Sequence, residues 1–237
     1  MTSPHPLDNP VWAALTTEHR SVARVHGSAH AYRDDIAPFM AVETLDAQAW
    51  ADLAQLDDTA RMIRASIGEL PPGAHAPFRA GVRQMVAPVV GTDLAATMAD
   101  LGATPEYRLR ELHDDDVPAM LDLTHRAKPG PFRPRTIELG GYLGVFENGS
   151  LVCMAGRRMR THGWCEISAV CTDAAHLGRG LARRVTLLVA AGIQAEGRDA
   201  FLHVSDENPR AGALYEHLGF TVRAHLEVAA VVFPAAD

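Results

Sequence analysis

The clearest hydrophobic pattern in the chain lies between residues 165 and 195, where alternation gives way to a helical period. Residues 165–172 (CEISAVCT) read as a buried strand. Alternation places Glu166, Ser168, Val170 and Thr172 on one face of this strand and Ile167, Ala169 and Cys171 on the other. From Leu181 onward the apolar residues share one helical stripe, which predicts an amphipathic helix that ends near Gly197.

The turn between this strand and this helix contains two glycines, Gly178 and Gly180. The first turn of a helix has unpaired N–H groups and a partial positive charge, and glycines let an anion approach the backbone. Leu181 and Ala182 follow where a nucleotide-triphosphate loop needs Lys-Ser or Lys-Thr. A dinucleotide fingerprint would need a third glycine and an acidic residue about twenty residues further on. The turn has only two glycines, so this fingerprint is incomplete. The turn therefore favours a phosphate of another ligand, with an ordinary strand–helix turn as the alternative.

A second strand–helix pair follows directly. Residues 200–204 (AFLHV) read as a buried strand, and residues 208–220 (NPRAGALYEHLGF) read as a helix with signals at both ends. Asn208 suits the capping position, Pro209 suits the first helical position, and Gly219 suits the position past the last turn. This part of the chain is therefore predicted to run strand, glycine turn, helix, strand, helix.

The segments before this core also have a readable order. Residues 107–118 predict a strand and then a capped helix start, and residues 128–134 (KPGPFRP) predict a loop rich in proline and basic residues. A hairpin is predicted over residues 142–159, because Asn148-Gly149 is a strong turn signal between two apolar runs.

The first half of the chain, residues 1–104, mixes helix and strand patterns without a phosphate-binding glycine pattern. Its predicted elements are helices from Pro10 and over residues 46–56 and 93–101, and strands over residues 21–31, 36–42, 61–67 and 78–86. This region is therefore predicted to be a mixed α/β unit.

The pattern strand–GRGLA–helix–strand–NPRAGALYEHLGF resembles the Gcn5-related N-acetyltransferase (GNAT) superfamily, specifically its glycine-N-acyltransferase-like branch. Residues 177–182 match the family pattern Arg/Gln-x-x-Gly-x-Gly/Ala except that Leu177 stands in the Arg/Gln position. The resemblance covers about residues 107–233 and implies an α+β GNAT acyl-CoA N-acyltransferase fold, a mixed central sheet flanked by helices. It places the GNAT N-acetyltransferase domain at residues 105–237. The similar order of elements in residues 1–104 suggests a degenerate GNAT-like unit.

The resemblance also implies an activity, acyl-CoA-dependent N-acyl transfer (EC 2.3.1 type), with acetyl-CoA as cosubstrate and no metal. The implied cofactor-binding residues are Val170, Cys171 and Thr172 beside the pantetheine arm, Gly178, Arg179, Gly180, Leu181, Ala182 and Arg183 at the pyrophosphate, and Asn208 near the pantetheine. Among the nearby arginine side chains, Arg179 is favoured over Arg183 and Arg184 as a phosphate contact, with solvation of a helix face as the alternative.

Two catalytic residues are implied by the resemblance. Tyr215 takes the position of the general acid that protonates the leaving thiolate, with a half-buried structural tyrosine as the alternative. Glu166 takes the position of the general base, which requires burial to raise the pKa of its carboxyl group or a bridging water. A structural role for Glu166 is the alternative, and His203 is a weaker candidate for the base.

Composition narrows the class of protein. The 237 residues are 47% apolar and 22% charged, as in an ordinary soluble globular protein, and the net charge of −7 argues against a general nucleic-acid binder. Cys153, Cys165 and Cys171 lie in apolar runs and read as reduced core residues. The N-terminus lacks signal-peptide blocks and no apolar run reaches membrane length, so a cytoplasmic location is expected.

The acceptor cannot be read from the sequence. The expected acceptor is a primary amine of a small molecule or an amino acid. A catalytically silent acyl-CoA-binding or regulatory module, and acetylation of a protein lysine or N-terminus, are the alternatives. Neither nucleic acid nor a membrane is an expected partner, and a homodimer is one expected assembly.

Overall fold

The computed structural model of this protein describes residues 5–90 and 106–234, so the helix predicted over residues 93–101 lies outside the described residues. The α-helices in the described ranges are α1 (Pro10–Thr16), α2 (Ala47–Leu56), α3 (Val117–Ala127), α4 (Leu181–Ala195) and α5 (Pro209–His217). The strands are β1 (Ala23–His26), β2 (Ala29–Tyr32), β3 (Met40–Ala41), β4 (Thr59–Arg64), β5 (His75–Val86), β6 (Tyr107–Leu112), β7 (Tyr142–Glu147), β8 (Ser150–Thr161), β9 (Trp164–Thr172), β10 (Asp199–Ser205) and β11 (Thr221–Val232).

Within the described ranges, most strands form one eight-stranded sheet in the order β4-β11-β5-β10-β9-β8-β7-β6. Strands β9 and β10 pair in parallel, and the other neighbours pair antiparallel. Strands β1, β2 and β3 form a separate small sheet. This mixed sheet with helices against it confirms the α+β fold class.

The large sheet is shared by both halves of the chain. Strand β5, from the first half, lies between β10 and β11 of the second half, and its pairing with β11 runs from Val86–Thr221 to His75–Val232. The predicted boundary between residues 104 and 105 therefore divides the sequence but not the sheet. The origin of residues 1–104 as a degenerate GNAT-like unit stays a prediction.

Each face of the sheet is covered by an apolar cluster. On one face, α4 buries the predicted stripe, including Leu181, Val185, Leu188, Val189 and Ile193, against strands of both halves. A second cluster joins α1 to the sheet through residues such as Leu15, Phe39 and Phe201. Each such side chain contributes about 1.5–3 kcal/mol when fully buried, so both halves depend on the same sheet for stability.

The first half differs from its predicted strands. Residues 21–31 form the hairpin β1–β2 instead of one strand, and residues 36–42 contribute only the short β3. The chain reverses at Gly27, whose φ of 53° favours glycine. The Asp52 carboxylate of α2 accepts hydrogen bonds from the Ser28 backbone and hydroxyl at 2.7 and 2.8 Å. This contact comes from a distant segment, so local periodicity did not predict the turn.

Helices in the described part of the chain fall short of the length and apolar character needed to cross a membrane.

Candidate active site

A cleft of about 890 Å³ opens where β9, the N-terminal end of α4 and the N-terminal half of α5 meet. We call it the large cleft. The predicted site residues that line it are Val170, Cys171, Thr172, Gly178, Gly180, Leu181, Ala182, Arg183, Asn208 and Tyr215. The fold therefore gathers around one concave surface most of the positions that the sequence separates over 46 residues, from 170 to 215.

One wall of the large cleft is an open edge of strand β9. Its parallel pairing with β10 ends at Glu166–Phe201, although β9 continues to Thr172 and β10 to Ser205. Ala169 has a φ of 54°, and the register with β8 shifts between the pairs Gly156–Ser168 and Met154–Cys171. This bulge interrupts the predicted alternation of faces. Backbone groups beyond Glu166 can therefore pair with a ligand that has amide groups.

The glycine turn forms the end of the large cleft at helix α4. Gly178 and Gly180 have φ values of 79° and 72°, and an added Cβ at either position would meet nothing within 4 Å. The backbone angle, not lack of space, therefore favours glycine here. The Arg184 N–H donates to the Gly180 carbonyl at 3.2 Å, so the preceding N–H groups of Leu181, Ala182 and Arg183 have no carbonyl within the helix. This arrangement suits an anion.

Basic side chains also line the large cleft. Arg126, Lys128, Arg183 and Arg210 are exposed there, and Arg126 is paired with Asp173. This excess of positive charge, in a chain of net charge −7, favours a ligand with several phosphate charges. Of these four side chains, only Arg183 is among the candidate phosphate contacts from the sequence, although the basic loop beginning at Lys128 is a signal for another.

Arg179 is not among the residues that line the large cleft, and its predicted side-chain contact with phosphate stays a prediction. Its guanidinium donates to the Tyr107 hydroxyl at 2.6 Å and lies 3.3 Å from the Glu147 carboxylate. These partners belong to the edge strand β6 and its neighbour β7, which the sequence pattern does not connect with the glycine turn. The backbone N–H of Arg179, between the two glycines, stays a predicted contact.

Asn208 and Thr172 occupy defined positions at the cleft wall. The Asn208 side chain accepts a hydrogen bond from the Ala211 N–H at 3.0 Å, so it caps α5 as predicted. The Thr172 hydroxyl lies 3.2 Å from the Cys153 sulfur. Both side chains therefore stabilise the local fold while they line the cleft.

Tyr215 lies at the junction between the large cleft and a smaller cavity of about 270 Å³. Its side chain is buried on α5, and its ring packs against Phe220 with centroids 5.7 Å apart. Burial, with a smaller contribution from Cys171, raises the pKa of the phenol well above its usual value. Tyr215 therefore stays protonated at neutral pH and can donate a proton.

The smaller cavity, which we call the inner cavity, is built from both halves of the chain. Its walls include Phe39, Arg61, Phe78, Pro131, Arg158 and Glu166. Pro131 belongs to the predicted loop at residues 128–134, which borders this cavity. The sequence pattern does not bring residues of the first half to the same cavity as Tyr215, because their position follows from the pairing of β4 and β5 with β11 and β10.

Glu166 lies in the wall of the inner cavity but is not a free base. Both of its carboxylate oxygens accept hydrogen bonds from the Arg158 guanidinium at 2.7 Å, and its side chain is 1% exposed. Burial alone would raise the pKa of Glu166, but the Arg158 charge and the hydrogen bonds from Arg158 and His203 outweigh it and hold that pKa well below its usual range. The expectation of a raised pKa was therefore wrong.

His203 is engaged in the same network. Its Nδ1 lies 2.8 Å from Glu166 Oε1, and its Nε2 lies 3.1 Å from Gln84 Nε2. Arg223 donates to Gln84 Oε1 and Leu7 accepts from Gln84 Nε2, which fixes the amide orientation. With this amide orientation, Nε2 of His203 accepts from Gln84 and Nδ1 donates to Glu166, so both ring nitrogens are engaged in the network.

Known proteins resemble this chain in sequence and in fold. The family profile described as FR47-like protein matches residues 142–229. A GNAT-family protein from Novosphingobium aromaticivorans DSM 12444, described as an acetyltransferase, is 32% identical in sequence, with a TM-score of 0.85 over 98% of this chain and 100% of its own. This chain belongs to the GNAT family.

Two other GNAT structures share the fold at lower identity. A GCN5-related N-acetyltransferase from Kribbella flavida is 18% identical, with a TM-score of 0.55 over 95% of each chain. A tandem GNAT protein from the clavulanic acid biosynthesis pathway is 17% identical, with a TM-score of 0.57 over 90% of this chain and 81% of its own. A search of curated proteins found no significant match.

GNAT membership supports an acyltransferase, and GNAT acetyltransferases generally use acetyl-CoA. The glycine-N-acyltransferase-like branch stays a prediction. In the described ranges, no group of three or more His, Cys, Asp or Glu side chains could hold a metal ion.

Proposed function

We propose that this GNAT protein transfers the acetyl group of acetyl-CoA to a primary amine of a small molecule or an amino acid. The observation that carries the proposal is the position of Tyr215, which lines both the large cleft with its phosphate-suited turn and the separate inner cavity. The large cleft suits the cosubstrate and the inner cavity suits the acceptor.

The residues of the large cleft fit CoA in three respects. The first-turn N–H groups of α4 suit the pyrophosphate, and the open edge of β9 suits the amide groups of the pantetheine arm. The side chains of Lys128, Arg183 and Arg210, which also line the cleft, suit the remaining phosphate charge. CoA supplies the thioester, and these residues hold and orient it.

The reaction forms one bond and breaks one bond. The amine nitrogen binds to the thioester carbonyl carbon, the carbon–sulfur bond breaks, the amine loses a proton, and the departing thiolate gains one. Tyr215 donates the proton to sulfur, since its phenol is protonated at neutral pH and it lines the cleft that suits the thioester. The amine proton passes to water, because the carboxylate of Glu166 is held by Arg158. Glu166 then has a positioning role, because its hydrogen bonds with Arg158 hold the wall of the inner cavity in place.

The size of the inner cavity favours a small acceptor. Pockets for drug-sized ligands measure about 300–1,000 Å³, and the inner cavity measures about 270 Å³. The cavity is also bounded by the loop around Pro131 and by Phe39 and Phe78. A lysine of a protein could enter the inner cavity only with its side chain. Acetylation of a protein is therefore the second candidate function.

The test is thiol release from acetyl-CoA by the full chain with a panel of small primary amines, amino acids and lysine-containing peptides. We expect turnover that depends on a small amine, with the acetylated product identified by mass spectrometry. CoA binding without turnover on any member of the panel would support the silent binding module instead. Turnover with peptides alone would support the protein acetyltransferase.

A further inference from the structure

The inner cavity contains two arginines that differ in their partners. Arg158 has its guanidinium charge balanced by Glu166 and lies 4.9 Å from the centroid of the Phe39 ring. Arg61 lies 6.0 Å from the centroid of the Phe78 ring. Within residues 5–90 and 106–234, Arg61 has no ion pair with a carboxylate. One guanidinium of the cavity is therefore balanced internally and the other is not.

The surroundings of Arg61 add positive charge rather than balance it. Arg61 also lines a second space of about 600 Å³, whose lining includes His125, Lys128 and Arg133 and, within the described ranges, no acidic residue. Burial and the nearby Arg133 lower the pKa of Arg61, as expected for a half-buried guanidinium without a counter-ion. A third space contains Asp34 and Asp57, but both of these pair with Arg24.

We propose that Arg61 binds an anionic oxygen group of the acceptor, so that the acceptor is an amine that also carries a carboxylate or a comparable anion. A guanidinium binds such a group with two parallel hydrogen bonds, and partial removal from water strengthens them. The anion would lie at Arg61 while the amine points toward Tyr215, because both side chains line the inner cavity. This inference rests on the proposed function, since it assigns the acceptor of that same site.

The experiment compares acceptors that differ in one group. ω-Amino acids of increasing length are assayed beside their amides, the matching alkylamines and the matching aminoalkyl phosphonates, with the parent chain and with Arg61→Gln and Arg61→Lys. We expect the parent to prefer the anionic acceptors by about tenfold or more in kcat/KM, the contribution of a hydrogen bond to a charged group. Comparison of kcat/KM between the carboxylate and phosphonate series shows which anion the site prefers.

In Arg61→Gln the preference should disappear through a higher KM for the acids, with a much smaller loss of kcat/KM for the amides. Arg61→Lys should retain part of the preference. Arg64→Gln is the matched control, because Arg64 is half-buried three residues further along β4 and is not among the residues that line the inner cavity. The Arg64→Gln variant should prefer the anionic acceptors as strongly as the parent does.

Calorimetric titration of the same acceptors into the CoA-bound chain separates this inference from the proposed function. Binding of the acids that depends on Arg61, without turnover of any amine, would support the anion site and contradict the transferase. Equal use of acids and amides by the parent, or an unchanged preference in Arg61→Gln, would overturn the role of Arg61. Absence of binding and turnover with all acceptors would overturn both proposals.

Discussion

Arg158 and Glu166, on the neighbouring strands β8 and β9, are joined by two hydrogen bonds of 2.7 Å while their side chains are only 9% and 1% exposed. A buried ion pair of this kind contributes little net stability, but loss of one partner leaves an uncompensated buried charge. The pair therefore determines how the wall of the inner cavity responds to mutation.

Glu166→Gln is expected to reduce the free energy of unfolding by about 3–5 kcal/mol, because it leaves the Arg158 charge buried without a counter-ion. Urea denaturation of the purified chain measures the loss. The matched control is Glu227→Gln, whose partner Arg79 is partly exposed, so a loss of about 1 kcal/mol or less is expected there. Similar losses for the two variants would contradict the special position of the buried pair.

The double variant Arg158→Met/Glu166→Gln removes both charges and should recover most of the stability lost in Glu166→Gln. Recovery would show that the loss comes from an unpaired Arg158 and not from the shape of the glutamine side chain. A double variant as unstable as the single one would indicate that the hydrogen bond to His203 carries the effect.

The ion pair also predicts a pH dependence. The pKa of Glu166 is lowered in the folded state, so the unfolded chain binds a proton near the ordinary pKa of about 4.3 while the folded chain does not. This contribution to stability is complete above that pH and is lost as the pH falls toward the folded-state pKa. Between pH 7 and pH 3, the free energy of unfolding measured by denaturation should therefore fall more steeply for the parent than for the double variant. Parallel curves would contradict the lowered pKa.

Tyr215→Phe is expected to leave CoA affinity unchanged and to slow acetyl transfer by about 100-fold or more, since the phenol is the proposed proton donor to sulfur. Single-turnover kinetics with saturating acetyl-CoA measure the chemical step. Tyr107→Phe is the matched control, because its hydroxyl contacts Arg179 and Tyr107 is not among the residues that line either space. A Tyr215→Phe rate within twofold of the parent would return Tyr215 to a structural role.

Gly180→Asp is expected to weaken CoA binding tenfold or more, because it places a negative charge where the pyrophosphate is expected to meet the first turn of α4. An added Cβ has open space at Gly180, so the cost to the fold is limited to the strain of a side chain at a φ of 72°. Gly163→Asp is the matched control, with a similar φ of 75° and equally open space in the β8–β9 turn. Calorimetric CoA titrations in which both variants match the parent would contradict the proposed pyrophosphate site.

Local chemistry in the sequence was sufficient for the elements of the second half. Gly180 and Gly219 have positive φ values, and Asn208 caps α5, as their residue types predicted. These features depend on backbone angles and on hydrogen bonds within a few residues. The apolar stripe of α4 depends only on the helical period. For this reason the order of elements, and the resemblance to the GNAT superfamily, could be read from the chain alone.

The tertiary structure decided which charges are free. Glu166 reads as a base candidate in the sequence, but the register between β8 and β9 brings Arg158 to it. Arg179 reads as a phosphate ligand, but strand β6 brings Tyr107 to it. Arg61 reads as an ordinary strand residue, but the sharing of one sheet by both halves places it near Tyr215. The Arg179–Tyr107 contact joins residues 72 positions apart in the chain, and even Arg158 and Glu166, which are eight positions apart, meet only through the register of β8 on β9. The pairing and burial of these charges therefore exist only after the strands have paired.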